Sequence, residues 1–262
     1  MRIGKYRFIA SVVVFFGLVS SCYAQKISVA VASNALAAVK VIGAEFEKQT
    51  GHVVQISSGS TGKLYSQIVN GAPYDIFLAA NEREPKKLEA SHFTVPNSRF
   101  TYATGKLVAW SPDKFLEHVK HINEVLVSKS VVRIAIANPK TAPYGLAAQQ
   151  VLHKLGVWEQ LQSKIIHGDN VSQTYQFAMT NNAQVGFVAK SQIQSNLNYS
   201  KGSFWEVPSQ LYSPIRQQAV MLSRTTHKAL ANEFIKFLKS DKVKAILTTQ
   251  FGYGAESTGA SS

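Results

Sequence analysis

The chain has 262 residues, 45% of them hydrophobic and only 16% charged, with a formal charge of +13. That length can bury one large core or two modest ones, and the positive balance reflects few acids rather than basic blocks. With no Lys/Arg run and no arginine–aromatic stripe, a nucleic-acid partner is not expected; a diffuse basic balance suits small anions or an anionic surface.

The first residues read as a secretory leader. Arg2, Lys5 and Arg7 form a basic region, Phe8 to Val19 is apolar, and Cys22-Tyr23-Ala24 satisfies a small-x-small cleavage rule. The apolar run is short for a membrane span. Residues 1–24 are therefore expected to be a signal peptide, and their removal lowers the charge to +10. Export to the periplasm is the expectation. Cys22 is the only cysteine, so the mature chain would offer no disulfide, thiolate metal site or cysteine nucleophile. Val19-Ser20-Ser21-Cys22 also resembles a loose lipobox, which leaves lipid anchoring through Cys22 as an alternative.

The mature chain begins with a β-rich run, Lys26 to Ala32, ending at Ser33-Asn34, which read as N-cap residues. Leu36, Val39, Ile42, Gly43 and Phe46 mark one face of a helix that ends at Thr50-Gly51. Val53 to Ile56 is a second strand, followed by the small-residue loop Ser57-Ser58-Gly59-Ser60-Thr61-Gly62-Lys63 and a helix carrying Leu64 and Ile68. Tyr74 to Ala80 is a third strand and Glu82 to Ala90 a short polar helix. This alternation predicts a parallel α/β sheet.

The pattern then repeats. Phe100 to Trp110 is a strand with Gly105 in its middle, suited to crossing between lobes. Val131 to Ala137 is a buried strand whose loop, through Asn138-Pro139 and Tyr144-Gly145, enters a helix with Leu146, Val151 and Leu155. Lys164 to His167 precedes Asp169-Asn170-Val171-Ser172 and a helix with Tyr175 and Ala178; Gln184 to Val188 is a further strand. Gln217 to Leu222 returns, and helices follow over Thr225 to Lys239 and Asp241 to Thr249. Two lobes joined by crossings near Tyr102–Lys106 and Pro214–Ala219 account for this, with 25–103 plus 218–262 in one lobe and 104–217 in the other.

Four strand-to-helix junctions are alike: Ser33-Asn34, Ser60-Thr61-Gly62, Tyr144-Gly145 and Asn170-Val171-Ser172. Each leaves backbone N–H groups without helical partners at the positive end of a helix dipole. In open α/β sheets ligands sit beyond the carboxyl ends of strands, so four such loops facing one cleft would make a pocket of neutral donors for an oxyanion. Other motifs carry less. Gly59-Ser60-Thr61-Gly62-Lys63 is too short for a nucleotide-binding P-loop, and it also lacks one residue of a Gly-x-Ser-x-Gly hydrolase elbow. His118 and His121 read as an exposed polar helix face, and Asn198-Tyr199-Ser200 is a formal glycosylation sequon.

With these residues in this order, the chain from Lys26 to about Gly254 resembles the periplasmic molybdate-binding proteins of ABC importers, which have the two-lobed type II binding-protein fold. The resemblance rests on Val31 to Leu36, Ser57 to Leu64, Gly71 to Asp75, Asn138 to Gly145, Asp169 to Val171, Gly186 to Val188 and Phe251 to Tyr253. It implies an α/β fold with a parallel-rich mixed sheet in each lobe and a two-strand hinge. It further implies a monomeric receptor without catalysis or cofactor, which captures molybdate or tungstate and delivers it to a membrane permease. The implied ligand contacts are Ser33 and Ser60 through hydroxyl and N–H, and Tyr144 and Val171 through N–H; Asn34 and Thr61 are adjacent candidates. Some family members add a tyrosine hydroxyl where this chain has Ala189. Lys63 and Asp169 are expected to point away from the ligand. A receptor for sulfate, thiosulfate or another small oxyanion is the alternative, and a secreted hydrolase or adhesive surface protein the lower one.

Overall fold

The computed structural model describes residues 24–194 and 202–254; the leader, Cys22 and the sequon at Asn198 lie outside the described residues. The first half of the chain runs β1 (Lys26–Ala32), α1 (Leu36–Thr50), β2 (Val53–Gly59), α2 (Thr61–Val69), β3 (Ile76–Ala79), α3 (Arg83–Ala90) and β4 (Phe100–Gly105). It continues with β5 (Leu107–Ser111), α4 (Ile122–Val127), β6 (Ile134–Ala137), α5 (Pro143–Lys154), α6 (Trp158–Leu161), β7 (Ile165–Gly168), α7 (Val171–Met179), β8 (Val185–Ala189) and α8 (Lys190–Gln194). The last part comprises β9 (Ser203–Glu206), β10 (Ile215–Met221), α9 (Lys228–Leu238) and α10 (Asp241–Ala245), the last followed by a π-helical turn, Ile246–Gln250.

Two five-stranded mixed sheets result, ordered β2-β1-β3-β10-β4 and β7-β6-β8-β5-β9. Each has a parallel trio, centred on β1 or β6, and then an antiparallel strand, β10 or β5, that arrives from the other half of the chain. The inner strands of the parallel trios are apolar on both faces because helices cover both, as in the fully buried Val29, Ala30 and Val31 of β1. The first sheet carries one apolar layer with Phe46 and Phe234 in edge-to-face contact at 5.1 Å, and a second under α2 and α3 with Leu64, Phe77 and Leu88. The second sheet has its own core around Ile136, Leu152 and Phe187. Each such side chain, buried completely, contributes about 1.5–3 kcal/mol.

The crossing strands join the lobes with little slack. Lys106 alone separates β4 in the first sheet from β5 in the second, and 207–214 carries the chain back to β10. Thr104, Gly105 and Ile215 to Gln217 pair within the first sheet.

Several details differ from the sequence expectation. Ser57 to Gly59 extend β2 rather than forming a loop, because they pair with Ala30 to Ala32 of β1. Ser33 and Asn34 do not cap a helix; they form a short 3-10 turn capped by Ala32, and α1 starts at Leu36. His118 and His121 are not on a helix face: His118 has φ of 59°, in the left-handed region, and α4 begins only at Ile122. Leu146 is 40% exposed rather than inward. The edge strand β9 pairs with β5, with Trp205 opposite Ala109.

Candidate functional site: a seam of helix starts between the lobes

The lobes are closed on one another along the ends of β1, β2, β6 and β7. The Gly62 N–H of α2 donates to the Thr141 carbonyl at 2.9 Å. Ser172 Oγ donates to the Ser33 carbonyl at 3.2 Å, and Ser191 Oγ to the Asn34 carbonyl at 3.0 Å. Between these contacts lies a narrow cavity of about 10 Å3 lined by Ala32, Ser33, Asn34, Gly59, Ser60, Thr61, Ala80, Ala142, Pro143, Tyr144 and Val171. All six candidate residues named from sequence are among them. Pockets for organic ligands typically run to several hundred Å3, so this closed site is far too small for one.

Each helix start leaves a different donor. At α2 the cap residue Ser60 has extended backbone, and its side chain makes no capping bond. Its hydroxyl is buried without a hydrogen-bond partner. Leaving such a group unpaired costs about 1–3 kcal/mol, so this hydroxyl is a free donor at the cavity wall. Next to it, Thr61 Oγ1 accepts the Ala80 N–H at 3.0 Å, which ties α2 to the end of β3.

At α5 the cap residue is Ala142 and Pro143 has no N–H, so Tyr144 carries the first donor of the helix. Gly145 follows because a Cβ there would run into the Ala137 carbonyl, which no side chain tolerates. At α7, Asn170 Oδ1 accepts the N–H groups of Ser172 at 2.9 Å and Gln173 at 3.1 Å. The capping bonds account for these two, and Val171 keeps its N–H at the helix start. Asn34 plays a different part. Its Nδ2 donates to Gln217 Oε1 at 2.9 Å and to Tyr253 Oη at 3.1 Å, so its side chain serves the wall rather than the cavity.

No carboxylate, histidine, lysine or arginine is among the lining residues. Lys63 and Asp169 form an ion pair with each other at 2.9 Å, with side chains 52% and 66% exposed, outside the cavity. Ala189 ends β8 fully buried, its N–H donating to Gln192 Oε1 at 3.0 Å, and it does not reach the cavity. The site is thus a set of hydroxyl and backbone donors at converging positive helix ends, an arrangement that binds a dense negative charge without a cationic side chain.

Behind the cavity lies a buried polar cluster that the sequence reading misses. Gln217 Oε1 accepts from Tyr102 Oη at 2.8 Å as well as from Asn34, and Gln217 Nε2 donates to Tyr144 Oη at 3.2 Å. Burial raises the Tyr102 and Tyr144 hydroxyls well above the ordinary tyrosine range, and Tyr253 is pushed up to about 12. For Tyr253 its bonds with Ser191, Asn34 and Gln217 pull the other way without cancelling desolvation. All three remain neutral hydrogen-bonding groups at physiological pH. The signal in the chain is Gln217-Gln218, a polar pair that follows Arg216 and precedes the apolar half of β10.

Two like α/β lobes, crossed by two strands and closed over a donor-lined cavity, define a two-lobed binding protein of the periplasmic type. Known proteins agree. The model of the family described as bacterial extracellular solute-binding protein matches residues 27–254, and the chain belongs to that family. It is similar to the molybdate-binding protein ModA of Azotobacter vinelandii, 46% identical over 91% of this chain and 94% of the relative. It is also similar to ModA of Rhodobacter capsulatus, 42% identical over 92% of each. Among solved structures, the Azotobacter vinelandii periplasmic molybdate-binding protein superposes with a TM-score of 0.82 at 43% identity, covering 87% of this chain and 99% of that one.

Proposed function

We propose that this protein is an extracytoplasmic receptor that captures molybdate, and tungstate alike, between its lobes and hands it to the permease of an ABC importer without chemical change. The observation that carries the reading is the buried, unpartnered Ser60 hydroxyl on the wall of a small cavity with three further helix starts. In this reading Ser33 and Ser60 each bind oxygen through hydroxyl and N–H, while Tyr144 and Val171 contribute N–H groups. Thr61 adds its N–H, and Asn34 contributes through its backbone, its side-chain donors being engaged elsewhere. The lobes are 25–103 with 218–262, and 104–217, apart from the few crossing residues that pair within the first sheet. The mature chain acts as a monomer in the periplasm after loss of residues 1–24, without a cofactor.

Molybdate and tungstate remain dianions at neutral pH, whereas hydrogen phosphate carries a proton that needs an acceptor. A wall of donors therefore rejects phosphate by leaving its proton unpaired. Sulfate has the right charge but is smaller, and the fixed helix starts set the spacing of donors against it. Titration calorimetry of the mature protein with molybdate, tungstate, sulfate and phosphate tests the reading. Tight, near-equal binding of the first two with weak or no heat from the others is expected. Tight sulfate binding moves the assignment to a sulfate receptor, and no heat with any oxyanion rejects it.

A further inference from the structure

Gln217 is fully buried in β10, yet it is the polar centre of the seam. The pairing of β10 with β4 shifts register between Gln217 and Gln218, so that Gln217 lies opposite Ala103 and Gln218 opposite Thr101. Tyr102 is thereby left as the extra residue of a bulge, a device that re-aims side chains. Its hydroxyl turns onto the Gln217 amide oxygen. That oxygen also accepts from Asn34, so both of its lone pairs meet donors, and the amide nitrogen is forced to face Tyr144.

The three partners differ in lobe. Asn34, Tyr102 and Gln217 belong to the first sheet and its loops, but Tyr144 belongs to α5 of the second lobe. Asn34 adjoins Ser33 on one wall of the cavity, and Tyr144 stands on the opposite wall. One amide thus ties the two walls from behind. Room for it exists because residue 105 is glycine: a Cβ there would overlap Tyr144 Oη and stand 2.7 Å from Gln217 Nε2. An opening that carried α5 away from β10 would break this bond.

We propose that Gln217 is a positioning residue for oxyanion capture: its bond to Tyr144 Oη, made only in the closed form, sets the Tyr144 N–H against the Ser33 loop at ligand distance. It touches no ligand itself. A bond confined to the closed state slows release without altering which ions fit. This inference rests on the molybdate reading above.

The test is a double-mutant cycle on the mature protein, with molybdate affinity by calorimetry and release by stopped flow. Gln217→Leu and Tyr144→Phe should each weaken binding about tenfold, the worth of one ordinary hydrogen bond, mainly through faster release. The double variant should lose no more than the worse single, whereas either change combined with Ser60→Ala should be additive. Gln217→Glu adds a readout that a packing role would not move. A buried carboxyl titrates above its usual range, and only its protonated form supplies the donor. Its affinity should rise as pH falls toward neutrality while wild type stays level. Should Gln217→Leu destabilise the fold, Tyr144→Phe and the pH profile of Gln217→Glu still decide. Unchanged affinity in the variants beside a wild type that binds, additive losses in the double variant, or a flat profile for Gln217→Glu overturns the inference alone. A wild-type protein that binds no oxyanion overturns it together with the reading on which it rests.

Discussion

Gly62 in α2 of the first lobe donates its N–H to the Thr141 carbonyl of the second at 2.9 Å, a direct backbone contact across the seam. A Cβ on Gly62 would stand 3.1 Å from both Thr141 Cα and its carbonyl oxygen, and 3.3 Å from Thr141 Cβ. Those atoms are backbone or near it and cannot swing aside, so the contact is sensitive to one carbon and fails with three.

Gly62→Val therefore separates folding from closure. Within the first lobe the change replaces a poor helix former near the start of α2 and should leave thermal stability level or slightly raised. Across the seam it is a wedge, and molybdate affinity should fall more than tenfold. Calorimetric melts and titrations on the same sample check both signs; a variant that loses stability but binds normally would contradict the role given to this contact.

Ser60→Ala addresses the ligand contact itself. A hydrogen bond to a charged group is worth about 1.5–3 kcal/mol, so dissociation constants should rise roughly tenfold to 150-fold. The free protein should be no less stable, because the hydroxyl has no partner to lose. Unchanged affinity would remove Ser60 from the binding set.

Lys63 invites a different expectation. It sits in a glycine-flanked segment beside the proposed site, yet it pairs with Asp169 across the rim, and both side chains are more than half exposed. Exposed pairs contribute well under about 1 kcal/mol and are screened by salt. Lys63→Gln should change molybdate affinity by less than about fivefold, with the difference vanishing in about 1 M sodium chloride. A large loss that survives high salt would place the ammonium on the ligand.

How much of this can be read from the chain depends on whether a feature is local. The α/β alternation, the crossing at Gly105 and the helix starts are written in short runs of apolar, glycine and hydroxyl residues, and all the named lining residues do meet at one cavity. The sequence puts Asn34 in the right loop but cannot show its side chain spent on Gln217 and Tyr253, which lie 183 and 219 residues away. The bulge that turns Tyr102 inward arises from pairing between distant strands, and no local pattern announces it. The extension of β2 through Gly59 has the same origin: small residues with weak strand preference are held by β1.

The buried tyrosines give the seam a pH limit. Tyr102, Tyr144 and Tyr253 all have hydroxyl pKa values raised by burial, Tyr253 to about 12, whereas in the unfolded chain they titrate near 10. A raised folded value means the native state holds its proton more tightly. The associated stability is fully present below about pH 10 and is lost as pH rises from there toward the folded values. Each tyrosine that ionises only in the unfolded chain steepens the loss by about 1.4 kcal/mol per pH unit. Thermal melts from about pH 7 to 11.5 should therefore be level up to the high nines and then drop, and Tyr253→Phe should make the drop shallower. Phenolate absorbance of the folded protein should lag behind that of the unfolded chain over the same range. A melting temperature that stays flat through about pH 11 would mean that the cluster is open to water in solution.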